Sequence, residues 1–152
     1  MTRIGVIADT HGLLRKSAIT ALSGVDRILH IGDIGDPVLL DRLAEVAPVQ
    51  AVRGNVDRGT WADAIPVTHV VEIEGATLYL IHILEDLDLD PEAAGVDVVL
   101  FGHTHRPRVD RSGPVTYVNP GSAGPRRVDL PITLAILEID DGGIEAEIVH
   151  LV

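Results

Sequence analysis

Seven side chains that can bind a divalent metal ion occur in five short clusters along the chain. Aspartate and asparagine offer oxygen atoms and histidine offers nitrogen, which is a ligand mixture that transition-metal cations accept. The seven are Asp9, His11, Asp33, Asn55, His82, His103 and His105. If one carboxylate is shared, the set is large enough for two cations, and two cations held close together can hydrolyse phosphate esters. The residue types therefore indicate a two-metal centre for phosphate chemistry.

The clusters follow directly on short apolar runs that are typical of buried strands. The first residues of the clusters are Asp9, Asp33, Asn55, His82 and His103. Ligands of α/β sheets bind beyond the carboxyl ends of the strands, so we expect one edge of the sheet to collect all the clusters. Because residues i and i+2 of an extended chain point the same way, Asp9 with His11, and His103 with His105, should each aim two ligands at one centre.

Each cluster taken alone also has a purely structural explanation. Asp-x-His after a strand is typical of a helix N-cap or a turn, Gly-Asp and Gly-Asn are common turn dipeptides, and His82 could be an ordinary histidine at a strand end. Gly-His-Thr-His is more specific, because two imidazoles at a tight turn suit a metal ion. All five clusters in this order favour the metal centre. The other three histidines lie on predicted strands, where we expect structural roles: His30, His69 and His150.

Strands and helices that alternate are expected to position the first three clusters. Apolar runs predict strands at 3–8, 26–31 and 49–53, and amphipathic segments predict helices at 15–23 and 37–46, the second starting at Pro37. This order predicts parallel strands with right-handed crossovers.

The second half of the chain is richer in strands and turns. Strands are expected at 67–74, 76–82, 96–101, 106–111, 115–119, 132–139 and 144–149, with a helix at 90–95. Turn residues at 74–75, 112–114 and 140–143 predict hairpins between neighbouring strands. The whole pattern predicts a single domain, residues 1–152, built as an α/β sandwich of two mixed sheets with flanking helices.

The composition excludes several classes of protein. No apolar stretch in the 152-residue sequence approaches the roughly 20 residues that are needed to cross a bilayer. Because the N-terminus lacks the features of a secretory signal and cysteine is absent, we expect a cytoplasmic protein. The net charge of −11 disfavours a protein that coats nucleic acid, and makes a small nucleotide the largest nucleic-acid ligand we expect. Two bound divalent cations would reverse the charge where a phosphate binds.

The series of motifs, from Asp9-x-His11 to Gly102-His103-x-His105, resembles the calcineurin-like metallophosphoesterases over nearly the whole chain. It is most similar to their small single-domain prokaryotic phosphodiesterases, and the segment 119–122 (Asn-Pro-Gly-Ser) resembles that branch too. The resemblance implies a four-layer αββα sandwich and two cations bridged by Asp33. The first cation would bind Asp9, His11, Asp33 and His105, and the second would bind Asp33, Asn55, His82 and His103.

Three features of this chain depart from the family pattern. Many phosphomonoesterases and nucleases of the superfamily have a histidine directly after the asparagine ligand, which protonates the leaving group; here Val56 stands there, so Asp36 has no such histidine to orient. Ile83 follows His82, where the family usually has glycine. The segment before His103 is acidic, with Glu85, Asp86, Asp88 and Asp90. We read these acids as a solvated loop, although they could also disfavour highly charged nucleotides.

We expect the two cations to hold a bridging hydroxide that attacks phosphorus in line. Lowering the pKa of water from 15.7 to about 7 corresponds to roughly 12 kcal/mol, whereas a general acid typically contributes about 3–5 kcal/mol. Lack of a histidine at position 56 should therefore weaken hydrolysis and favour esters with good leaving groups. The expected catalytic residues are Asp9, Asp33, Asn55 and His103, and the candidate phosphate contacts are Arg53, Arg58, Arg106 and Arg126. Manganese is the expected metal, with iron, cobalt, nickel and zinc as alternatives.

Other functions are compatible with the same pattern. The superfamily includes a trafficking-scaffold subunit that binds proteins and has lost key ligands, whereas every ligand position is filled here. A phosphomonoesterase or a nuclease is a further alternative; the acidic charge and the small size disfavour a nuclease. A small phosphate ester is the expected partner, and edge strands and hairpins would permit a homodimer.

Overall fold

The computed structural model describes residues 1–141 and 143–151, which form ten strands, three short helices and one 3-10 turn. The strands are β1 (Thr2–Ile7), β2 (Arg27–His30), β3 (Val49–Ala51), β4 (Thr68–Ile73), β5 (Ala76–Ile81), β6 (Val98–Leu100), β7 (Arg108–Asp110), β8 (Thr116–Asn119), β9 (Thr133–Asp140) and β10 (Gly143–His150). The helices are α1 (Lys16–Ala21), α2 (Pro37–Ala44) and α3 (Thr60–Asp63), and the 3-10 turn is Leu84–Asp86.

The first sheet contains the alternating half of the chain. Its strand order is β10-β9-β1-β2-β3. Strands β1, β2 and β3 are parallel to one another, and β9 is antiparallel to both of its neighbours, β1 and β10. The parallel strands end at the same edge of the sheet, so the loops that follow them, which carry Asp9, Asp33 and Asn55, start side by side.

The second sheet is also mixed, and its order is β4-β5-β6-β8-β7. The three central strands β5, β6 and β8 are parallel to one another, while β4 and β7 are antiparallel edge strands. His82 follows β5 directly and His103 follows β6 after a short loop. The parallel strands of this sheet therefore deliver the remaining ligands.

Alternation along the strands creates three apolar layers. Ile4 and Val6 of β1 pack with Leu78 and Leu80 of β5 between the two sheets, in a core that is fully buried. The opposite face of the first sheet packs against α1 and α2. The outer face of the second sheet is covered by the segment 84–95. This arrangement confirms the α/β sandwich of two mixed sheets.

The 3-10 turn, α3 and segment 90–95 differ from the sequence-based expectation. The helix expected at 90–95 is wrong: residues 91–95 form hydrogen-bonded turns that end at Gly95, whose φ is +78°. Asp90 accepts the backbone N–H groups of Glu92 and Ala93, so one turn is capped, but five residues are too few to propagate a helix. Helix α3 and the 3-10 turn were not expected from the sequence. The predicted turn at 140–143 includes Gly142, which lies outside the described residues.

No helix in the described ranges is long and apolar enough to span a bilayer. The expected cytoplasmic location stays a prediction.

Candidate metal centre

The loops at the carboxyl edges of the two sheets bring six of the seven candidate ligands into two groups. Within each group, the ligand atoms lie within 4.8 Å of one another. The first group is Asp9, His11 and His105, and the second is Asp33, His82 and His103. The seventh candidate, Asn55, is exposed and lines a cavity together with His82, which places it beside the second group.

The Asp33 carboxylate belongs to the second group and also faces the first. Its Oδ2 atom is 3.2 Å from His82 Nε2 and 3.8 Å from His11 Nε2. Its Oδ1 atom accepts a hydrogen bond of 3.2 Å from the backbone N–H of Val56. One oxygen of Asp33 therefore faces histidines of both groups, which is the position that a bridging ligand would occupy.

The tautomer of His82 tests whether cations fit this centre. His82 Nδ1 lies 2.7 Å from the carbonyl oxygen of Ile31. Because this oxygen can only accept a hydrogen bond, Nδ1 must be the nitrogen that carries the proton. The Nε2 lone pair then points at carboxylates, 3.2 Å from Asp33 and 3.8 Å from Asp9. A lone pair facing two carboxylates needs a proton or a metal cation between them.

Four buried polar atoms of the candidate ligands make no hydrogen bond within the described part of the chain: Asp9 Oδ1, His11 Nε2, His82 Nε2 and His105 Nδ1. Unsatisfied buried polar atoms are costly, and here they are concentrated among the candidate ligands. Oxygen and imidazole nitrogen atoms in this mixture suit divalent transition metals. The residues present therefore fit two divalent cations.

Electrostatic coupling between Asp33 and His82 shifts both groups. Burial alone would raise the pKa of Asp33, but the neighbouring His82 outweighs it and the pKa is lowered. Burial alone would lower the pKa of His82, but the carboxylates of Asp33 and Asp9 outweigh it and the pKa is raised. Both shifts describe a site whose carboxylates attract a positive charge.

The backbone of the candidate ligands is held in an uncommon conformation. Five of them have left-handed φ angles between +47° and +73°: Asp9, His11, Asp33, His103 and His105. Non-glycine residues adopt this region rarely, and such residues cluster at functional sites. The expectation that Asp9 with His11, and His103 with His105, project from extended chain is therefore wrong. Left-handed turns aim these side chains instead, and His103 and His105 enter different groups.

Two glycines allow the loops to approach each other closely. A Cβ atom at Gly54 would overlap the carboxylate of Asp33, and one at Gly32, whose φ is +99°, would come within 2.7 Å of His82 Nδ1. The Gly-Asp and Gly-Asn dipeptides are thus required by packing between the ligands.

Asp57 joins two of the ligand loops, a role that the sequence did not indicate beyond its place in Gly-Asn-x-Asp. Its buried carboxylate accepts three backbone N–H groups, from Ile34 at 3.1 Å, Gly35 at 3.0 Å and Gly54 at 2.8 Å. Because Ile34 follows Asp33 and Gly54 precedes Asn55, Asp57 fixes the separation of these two ligands.

Segment 119–122 joins two further ligand loops, those that follow β1 and β6. The Asn119 side chain donates to the carbonyl of Gly102 at 3.2 Å and to Thr104 Oγ1 at 3.0 Å. Ser122 Oγ donates to the carbonyl of Asp9 at 3.0 Å. Taken alone, the sequence of this segment indicated only a turn, but the turn holds the loops that carry Asp9 and His103.

The three histidines expected to be structural lie outside the two groups. His30 is fully buried; its Nε2 lies 2.9 Å from Thr10 Oγ1, and its Nδ1 accepts the N–H of Gly32 at 3.1 Å. Burial lowers the pKa of His30 to about 3, so it is neutral. His69 hydrogen-bonds Gln50 at 3.0 Å, and His150 lies on β10.

The four arginines proposed as phosphate contacts are distributed unevenly. Arg53 and Arg58 line the cavity that contains Asn55 and His82. Arg106 lines a second cavity with Gly102 and Thr104. Arg126 lies on the exposed loop 126–131, away from these two cavities. The geometry therefore favours Arg53 and Arg58.

Comparison with known proteins identifies the family of this chain. Residues 2–142 match the calcineurin-like phosphoesterase superfamily domain. A probable metallophosphoesterase of Methanothermobacter thermautotrophicus is 36% identical, over 97% of this chain and 91% of the relative. The phosphodiesterase YfcE of Escherichia coli is 29% identical, over 92% of this chain and 89% of the relative.

Solved structures share the fold. An archaeal phosphodiesterase superposes with a TM-score of 0.80 at 23% identity, over 97% of this chain and 100% of that chain. Vps29 of Entamoeba histolytica, solved in complex with Zn²⁺, gives 0.76 at 22% identity, over 98% of this chain and 99% of that chain. With the family match over nearly the whole sequence, these findings show that the chain belongs to the calcineurin-like phosphoesterase superfamily, a metal-dependent hydrolase superfamily.

Proposed function

We propose that this protein is a phosphodiesterase that uses two divalent cations to hydrolyse small phosphate esters. The observation that supports it most directly is the position of Asp33, whose Oδ2 atom faces a histidine of each group. One cation would bind Asp9, His11, Asp33 and His105, and the other would bind Asp33, Asn55, His82 and His103. Such cations lower the pKa of water to provide a nucleophile and neutralise the charge on the phosphoryl group.

The chain's own residues orient these ligands. The carbonyl of Ile31 fixes the tautomer of His82, and Asp57 and Asn119 hold the loops that carry the ligands. Arg53 and Arg58, at the edge of the second group, are the groups we propose to bind the non-bridging oxygens of the phosphate.

Position 56 determines which leaving groups the enzyme can release. Val56 is 48% exposed and its side chain has no ionisable proton, so it cannot act as a general acid beside Asn55. A general acid contributes typically about 10²–10⁴-fold. We therefore propose that esters with good leaving groups, such as aryl diesters, are hydrolysed faster than alkyl esters.

Several observations support a small diester as the substrate and manganese as the metal. The relative YfcE is named a phosphodiesterase and aligns over most of both chains. The net charge of −11 disfavours long nucleic acids. Manganese accepts a mixed set of carboxylate, amide and imidazole ligands, and zinc, iron, cobalt and nickel are alternatives on the same ligands. The edge strand β10, which is eight residues long, would permit a homodimer, detectable by analytical ultracentrifugation.

The decisive experiment is turnover of bis-p-nitrophenyl phosphate by chelator-treated protein, before and after addition of Mn²⁺. We expect turnover only with the metal. Asp33→Asn should lose it, whereas Asp41→Asn, an exposed carboxylate on α2, should not. Absence of turnover with Mn²⁺, Zn²⁺, Fe²⁺, Co²⁺ and Ni²⁺ in folded protein would contradict the proposal and favour a protein-binding role on the same fold.

A further inference from the structure

A cavity of about 300 Å³ opens directly beside the second ligand group. It contains Asn55 and His82 in its wall and extends away from them, between the loop after β3 and the loop after β5. A phosphate bound at the ligand groups would therefore have one of its substituents at the mouth of this cavity.

The wall of the cavity combines apolar side chains with cations. Val67, Ile81 and Ile83 provide the apolar part, and Arg53 and Arg58 provide the positive charge. Two carboxylates also line the cavity, the buried Asp57, which accepts backbone N–H groups, and the exposed Asp86. Arg53 pairs with Asp63 at 3.3 Å, whereas the Arg58 side chain makes no hydrogen bond or ion pair with any residue that the structure describes. A guanidinium group stacks readily on a flat ring.

The size of the cavity limits what it can hold. A closed apolar cavity of about 150 Å³ is large enough for benzene. The cavity of about 300 Å³ is twice that volume, which is at the lower end of the range of about 300–1,000 Å³ for small-molecule sites. A cavity of this size suits one ring with its linking atoms better than a larger fused system. Ile83 is half-buried and lines the cavity next to His82, so a larger or smaller side chain at this position changes the space left for the substituent.

We propose that this cavity binds the organic group of the phosphate ester, that the group is apolar and about the size of one aromatic ring, and that Ile83 limits its size. The inference rests on the proposed function, because it places the phosphate at the two ligand groups. It goes further in naming the substrate class, single-ring esters, and the residue that selects it.

Binding of phosphonates to Mn²⁺-loaded protein tests the inference without turnover. Methylphosphonate, phenylphosphonate and 1-naphthylphosphonate present the same phosphoryl group with substituents of increasing size, and calorimetry measures each affinity. For the wild type we expect phenylphosphonate to bind at least about tenfold more tightly than methylphosphonate, since burial of a ring is favourable. Naphthylphosphonate should bind more weakly than phenylphosphonate.

Two substitutions at Ile83 should move these ratios in opposite directions. Ile83→Phe fills the cavity and should bring the affinity of phenylphosphonate down to that of methylphosphonate. Ile83→Ala enlarges it and should raise the affinity for naphthylphosphonate relative to phenylphosphonate. Methylphosphonate should bind all variants equally, and Ile144→Ala, a half-buried isoleucine on β10, should leave every ratio unchanged.

The outcomes separate this inference from the proposed function. If the wild type hydrolyses bis-p-nitrophenyl phosphate but shows no preference for the phenyl group, or the Ile83 variants leave the ratios unchanged, the cavity assignment alone is overturned. If the wild type neither hydrolyses the diester nor binds methylphosphonate with any metal, both proposals are overturned.

Discussion

Replacing Asp57 by asparagine tests whether this buried carboxylate sets the geometry of the metal centre. Asp57 Oδ2 accepts N–H groups from Ile34 and Gly54, at 3.1 and 2.8 Å, and Oδ1 accepts that of Gly35 at 3.0 Å. The asparagine amide can keep its oxygen at the Oδ2 position. Its NH₂ group then faces the N–H of Gly35, so one bond becomes a contact between two donors.

The magnitude follows from the three bonds. An unsatisfied buried donor costs about 1–3 kcal/mol, and a hydrogen bond to a neutral acceptor is weaker than one to a carboxylate by roughly 1 kcal/mol. With one bond lost and two weakened, Asp57→Asn should lower the free energy of unfolding by about 3–5 kcal/mol. The domain should still fold, since typical stabilities are about 5–15 kcal/mol.

The metal affinity should fall together with the stability. Asp57 ties the backbone next to Asp33 to the backbone next to Asn55, and loss of such supporting contacts typically weakens metal binding about 10–100-fold. Urea unfolding in chelator measures the stability of the metal-free protein, and titration of Mn²⁺ by calorimetry measures the affinity. Asp36→Asn is the matched control, because Asp36 is an exposed carboxylate that accepts one backbone N–H, from Val38 at 3.0 Å.

Two results would refute this reasoning separately. If Asp57→Asn binds Mn²⁺ as tightly as the wild type while its stability falls, Asp57 supports the fold without setting the ligand geometry. If its stability falls by no more than that of Asp36→Asn, the three hydrogen bonds do not carry the energy assigned to them.

Four further substitutions have defined outcomes. Asp33→Asn should abolish Mn²⁺ binding at both groups, which calorimetry would show as two lost sites; a retained site contradicts its bridging role. Gly54→Ala should weaken Mn²⁺ binding and cost about 1–3 kcal/mol of unfolding free energy, because the new methyl group overlaps the Asp33 carboxylate. Val56→His should accelerate hydrolysis of alkyl esters relative to aryl esters, by up to about 100-fold; an unchanged ratio means that the histidine does not reach the leaving group. His30 is neutral in the folded protein, with a pKa lowered to about 3 from 6.5. Its contribution to the free energy of unfolding is therefore fully present above pH 6.5. That contribution is lost as the pH falls toward 3, because the unfolded state binds a proton that the folded state does not. The stability gap between wild type and His30→Asn in chelator should therefore shrink by about 3 kcal/mol between about pH 7.5 and about pH 4.5, and a constant gap contradicts the buried neutral state.

The sequence predicted which residues gather at the site because strand ends can be read from apolar runs. Asp9, Asp33 and His82 each follow such a run, and parallel strands bring their ends to one edge. The apolar runs and turns were therefore sufficient to predict two mixed sheets. The expectation that one edge of the sheet would collect all the clusters is wrong, because His82 and His103 follow strands of the second sheet.

The means by which the site is held could not be read in the same way. Asp57 acts through backbone N–H groups more than twenty residues away, and Asn119 acts across fifteen residues or more, so no local pattern reveals either role. The left-handed conformation of His11 was also hidden, because such φ angles are uncommon at every residue type except glycine. At residues 90–95, the aspartate at position 90 is typical of a helix start and does cap one turn, but the chain turns away at Gly95.

The left-handed backbone of the candidate ligands lowers the stability of the fold at the positions that would bind the cations. At φ values near +50° to +70°, glycine costs the backbone nothing, whereas each side chain there costs roughly 1–2 kcal/mol. Glycine at His11 or His105 would therefore relax the main chain of the cation-free protein while removing the imidazole that the cation needs. Selection for stability alone would therefore favour glycine at these positions, and a bound cation would have to stabilise the loops by at least as much as the left-handed backbone costs.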